Sequence, residues 1–131
     1  MNNQHHKQHR LGDLQLRIMQ VLWARGASTV QKVQAELNAG DEFAYTTIAT
    51  MLRKMEDRGL VRHETAGRRF VYQAAVEESE VTRTMATDML ERLFEGSLAD
   101  MVHHLLDNRD VSADELARIE KMIVQRKKKK T

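Results

Sequence analysis

Residues 44–60 read AYTTIATMLRKMEDRGL, and the architecture expected of the chain follows from the two faces of this stretch. Tyr45, Ile48, Met51, Leu52 and Met55 fall within one arc of a helix, and Gly59 supplies a stop. At 100° per residue, Thr46, Thr50, Arg53 and Asp57 lie almost opposite that arc, flanked by Thr47 and Lys54. β-branched threonine is a poor filler of exposed helix positions, so this polar ridge calls for a partner. Short hydroxyls can donate to phosphate or touch bases, and Arg53 or Lys54 can reach guanine edges or backbone phosphates.

Upstream, Leu11, Leu14, Ile18, Val21 and Leu22 keep the helical spacing, which predicts a first helix from Asp13 to Arg25 stopped by Gly26. Ser28 stands three residues before Gln31, a capping-box pattern opening a second helix whose buried stripe is Val30, Val33 and Leu37. Only a short connection containing Gly40 separates it from the quoted stretch. Downstream, LVRHE and RFVYQA flank the polar turn TAGR, the signal of a β-hairpin with Phe70 and Tyr72 on one face and Arg69 and Val71 on the other. Three helices and a hairpin in this order make a winged helix-turn-helix unit, with the quoted helix as its second, reading element. Arg62, His63, Arg68 and Arg69 cluster around Gly67, and a wing so charged suits a phosphate backbone or a minor groove.

From Glu77 onward the pattern is helical again. Met85, Met89 and Leu93 belong to one apolar stripe; Leu98, Met101, Val102 and Leu105 to a second, capped by Ser97; Leu116 and Ile119 to a third, opened by Ser112 and Glu115. Such wide stripes need a covering surface, most simply the same helices of a second chain. The expected fold class is therefore mainly α with a small β-hairpin wing: a flexible arm over 1–10, a winged-helix domain over 11–76, a helical dimerisation region over 77–126 and a basic, frayed tail over 127–131.

Charge follows the same division. Residues 1–75 carry eleven Lys or Arg against seven Asp or Glu, residues 76–125 five against twelve, and residues 126–131 five basic groups, although the whole 131-residue chain nets only +2. A basic first half implies that it meets the polyanion while the acidic half does another job. Cysteine and proline are both absent, which rules out disulfides, thiolate metal sites and cysteine nucleophiles and suits a largely helical chain. His5, His6 and His9 lie in the arm, and His103, His104 and Asp107 supply too few ligands, so neither metal nor cofactor is expected. No phosphate-cradling glycine loop, nucleophile elbow or zinc-hydrolase motif occurs, and an enzyme is not expected. Neither a secretory signal nor a membrane-spanning run is present, which points to a cytoplasmic location and no membrane partner.

Taken in order, LGDLQLRIMQVLW, AYTTIATMLRKMEDRGLV, GRRFVYQA, EESEV, FEGSLADMVHHLLD and VSADELARIEKMI resemble the penicillinase and methicillin-resistance repressor family over about residues 11–126. The resemblance implies a homodimeric winged-helix repressor seated on an inverted-repeat DNA operator. It puts the recognition contacts on Thr46, Thr47, Thr50 and Lys54 and the wing on Gly67 to Arg69. Basic residues common in antibiotic-responsive members are missing at Thr46 and Ala49, while Arg53 brings its own charge, which implies a different operator. Those members are released when a regulatory protease cuts an Asn-Phe bond; the aligned pair here is His104 and Leu105. The cysteine motif of the copper-responsive branch is absent. The competing expectation is a winged-helix protein interaction module without sequence-specific DNA binding.

Overall fold

The computed structural model describes residues 11–38 and 42–130. The arm with His5, His6 and His9, the linker glycine Gly40 and the final Thr131 lie outside the described residues. The elements run α1 (Asp13–Arg25), β1 (Ser28–Thr29), α2 (Val30–Leu37), α3 (Tyr45–Asp57), β2 (Val61–Ala66), β3 (Arg69–Ala74), α4 (Glu78–Phe94), α5 (Leu98–Asp107) and α6 (Ala113–Lys129). The chain divides into two compact units after Asp88, within α4.

In the first unit, one stripe from each of three helices meets a small sheet. Ile18, Met19 and Leu22 of α1, Val33 and Leu37 of α2, and Ile48, Leu52 and Met55 of α3 are buried together with Leu60, Val61 and Tyr72. The sheet has three strands rather than the two of a bare hairpin. Its order is β1-β3-β2, all antiparallel, with Ser28 opposite Tyr72 and Thr29 opposite Val71. This pairing corrects the expected cap of α2. Ser28 is buried in β1, its hydroxyl donating to the Gly26 carbonyl at 2.9 Å, and Thr29 caps instead, accepting from the Lys32 N–H at 3.2 Å.

The connection between α2 and α3 is anchored through Phe43. Its N–H donates to Asn38 Oδ1 and its carbonyl accepts from Gln34 Nε2, both at 2.9 Å, while the Arg17 guanidinium lies 5.3 Å from its ring centroid. At the other end of α3, Gly59 (φ 79°) is left-handed, its N–H bonds to the Glu56 carbonyl, and Leu60 N–H reaches back to Met55. This is a Schellman stop whose apolar contact, Leu60 on Met55, is buried. The chain thereby leaves the helix directly into β2.

The hairpin pairs Val61 with Ala74 through Ala66 with Arg69, leaving Gly67 and Arg68 as a two-residue turn. Positive φ at Gly67 but not at Arg68 matches a type II′ turn, which suits the twist of the flanking strands.

In the second unit, the end of α4 turns through left-handed Glu95 and Gly96 into α5. Ser97 caps α5 by accepting from Asp100 N–H, and Ser112 caps α6 by accepting from Glu115 N–H, each at 3.1 Å. The basic run departs from the frayed tail expected of it: Arg126 to Lys129 form the last turn of α6. Cations there offset the negative end of the helix dipole. Among the described residues, no helix is long and apolar enough to cross a membrane.

Candidate nucleic-acid interface

Thr46, Thr47, Thr50, Arg53 and Lys54 are all exposed along α3. Burial of Ile48, Leu52 and Met55 on the opposite side holds the helix in this rotation, because turning it would lift three fully buried side chains from the core. Tyr45 departs from the arc expected to be buried and is 52% exposed. It is the first residue of α3, and since side chains lean toward a helix N-terminus, it projects past the core edge.

A groove of about 270 Å³ lies beside this ridge, lined by Thr29, Gln31, Tyr45, Arg53, Arg68 and Phe70 among others, with Ala49 and Tyr72 at its apolar side. It brings the start of α2, the exposed polar face of α3 and the wing tip to one place, with three arginines, Arg53, Arg68 and Arg69, on its walls. Burial, and then the Glu56 carboxylate, raise the Tyr72 phenol above its ordinary range, so it meets the groove as a neutral hydroxyl.

The five wing residues do not share one surface. Gly67, Arg68 and Arg69 are exposed at the tip. Arg62 stands opposite Gln73 near the root, on the face away from His63 and Tyr72. His63 is half-buried and turned toward α3: its Nδ1 lies 2.7 and 2.8 Å from the two carboxylate oxygens of Glu56. Its ring stacks on Phe70 at 4.2 Å between centroids and tilts against Tyr72 at 5.5 Å. The Glu56 contact was missed in the sequence, although strand alternation with a two-residue turn places His63, Phe70 and Tyr72 on one face.

Of the residues assigned to a dimer contact, Met85 is half-buried in the first unit. In the second, Met89, Leu93, Leu98, Leu105 and Leu116 are exposed, and Met101, Val102 and Ile119 half-buried. Leu93 and Leu98 keep more than half of their surface open, at 68% and 64%. Val102, Leu105, Leu106 and Ile119 line a further hollow of about 200 Å³ between α5 and α6. His104 and Leu105 are exposed within α5, and the His104 ring tilts against Phe94. His103 Nε2 lies 3.1 Å from Asp107 on the same helix face. No group of three or more metal-ligating side chains occurs among the described residues.

The family profile described as Penicillinase repressor matches residues 11–125. A penicillinase repressor of Bacillus licheniformis is 28% identical over 120 residues, covering 92% of this chain and 94% of the relative. The transcriptional regulator BlaI of Mycobacterium tuberculosis is 32% identical over 108 residues, covering 81% and 77%. Among solved structures, a complex of hsRosR-S4 is similar in fold, with a TM-score of 0.54, 19% identity and coverage of 97% of this chain and 99% of its own.

Proposed function

The chain belongs to the penicillinase repressor family of DNA-binding transcriptional repressors, and we propose that it holds a palindromic operator as a homodimer, one α3 in the major groove of each half-site. The observation that carries this reading is the row Thr46, Thr47, Thr50, Arg53 and Lys54, exposed along α3 beside an arginine-walled groove. The hydroxyls and Lys54 fit base edges and nearby phosphates, Arg53 fits a guanine, and Arg68 and Arg69 at the wing tip fit the backbone. Arg62 serves the wing from its outer face. Membership of a repressor family disfavours a protein interaction module.

Residues 77–126 supply the dimer contact in this reading. Leu93, Leu98, Leu105 and Leu116 leave an apolar surface that a second copy would cover, and a two-fold axis would set the two recognition helices about one DNA turn apart, ~34 Å, or a multiple. Such a protein works in the cytoplasm, where its operator is. Release of the operator follows cutting at His104–Leu105 by a regulatory protease, since α5 then loses its last three residues and is severed from α6.

The test is binding of the full chain to duplexes recovered by footprinting in its own cell. The palindrome should bind more tightly than either half-site, with a steep loss on adding salt. Equal affinity for the palindrome and its scrambled sequence would overturn the reading. Mass spectrometry of the chain after induction should find a fragment ending at His104; an intact chain released from DNA would remove the protease.

A further inference from the structure

Specific duplex binding by a winged helix needs the wing tip at a set distance and inclination from the recognition helix. Here three side chains connect the two. Glu56, in the last turn of α3, holds His63 of β2 with both carboxylate oxygens on Nδ1, at 2.7 and 2.8 Å. The ring of His63 then stacks on Phe70 of β3, 4.2 Å between centroids and 27° from parallel. An ionised carboxylate only accepts hydrogen bonds, so Nδ1 is the protonated ring nitrogen. Phe70 is two residues from Arg68, and beyond it the hairpin has only the Ala66–Arg69 pair and the turn.

We propose that His63, held by Glu56 and bearing on Phe70, is a positioning residue that sets the wing against α3, so that Arg68 reaches a DNA phosphate only while this contact is made. The inference rests on the DNA-binding reading of the wing. Half-burial shields the pair: both side chains are 30% exposed, so the contact is less open to salt than a surface pair. It also explains why a histidine that the sequence assigns to the phosphate surface faces inward. The imidazole offers both a donor to the helix and a flat face to the wing, which neither glutamine nor phenylalanine combines.

The test is a double-mutant cycle between positions 63 and 68, measured on operator and random duplexes with the full-length protein across a salt series. His63→Ala should lower the slope of log affinity against log salt by about 0.9, the value of one lost phosphate contact, as Arg68→Ala does. The double variant should lose no more than either single one, because both remove the same contact. His63→Phe keeps the stack and His63→Gln keeps a donor, and each should restore part of the loss. A purely stabilising histidine would lower the melting temperature, leave the salt slope unchanged and combine multiplicatively with Arg68→Ala, and that result would overturn the proposal. Should His63→Ala fail to fold, the same cycle run with Glu56→Ala, which removes the acceptor, decides on the same criteria. Failure of the parent protein to prefer its operator would instead strike the DNA-binding reading itself.

Discussion

The indole Nε1 of Trp23 donates a 3.0 Å hydrogen bond to the carbonyl oxygen of Val76, joining the last turn of α1 to the chain leaving β3. The wing is thus held at its root from behind the core. Trp23→Phe keeps an aromatic ring and removes the donor, and it should lower unfolding stability by about 1 kcal/mol. Urea denaturation checks this: the midpoint should fall with little change in slope.

Gly59→Ala tests the stop of α3. At φ 79° a side chain is strained, so the substitution should cost about 1–2 kcal/mol. Gly59→Asn should cost less, because asparagine tolerates the left-handed region better. Thermal unfolding of the two variants should rank them in that order.

Thr50→Ala and Arg53→Ala should relax sequence preference, the arginine by about 1–3 kcal/mol of discrimination if it pairs with a guanine. Arg68→Ala should weaken operator and random duplexes alike and reduce the salt dependence by about one phosphate. Binding to a library of single-base operator variants separates the two effects. Unchanged selectivity in both α3 variants would remove that face from base reading.

Leu105→Asp should divide the proposed dimer, since a two-fold contact would bury two uncompensated carboxylates, one from each copy. Sedimentation should show the variant at half the parent's mass with its helix content kept. Affinity for a single half-site should survive while the advantage of the palindrome is lost. A variant that sediments like the parent would count against α5 in the interface.

Leu52→Ala offers a core control. Leu52 is fully buried beneath the exposed polar face of α3, and the loss should be about 2–5 kcal/mol depending on how far the cavity collapses. Loss of DNA binding in this variant should track loss of folded protein, unlike the α3 surface variants.

By itself the sequence determined the extents of α1 and α3, the hairpin, the caps at Ser97 and Ser112, and the exposed ridge from Thr46 to Lys54. Each of these is written within a few residues, as a period, a cap or a glycine, and so is legible locally. Tertiary structure alone decided the rest. Two residues, Ser28 and Thr29, become a strand only because β3 arrives beside them, and this shifts the cap of α2 by one residue. Tyr45 keeps the buried period yet lies open because the core ends before it, and the basic wing divides into an exposed tip, an outer Arg62 and an inward His63. The Glu56–His63 contact depends on the angle at which the hairpin leaves α3, and no local pattern carries an angle between elements.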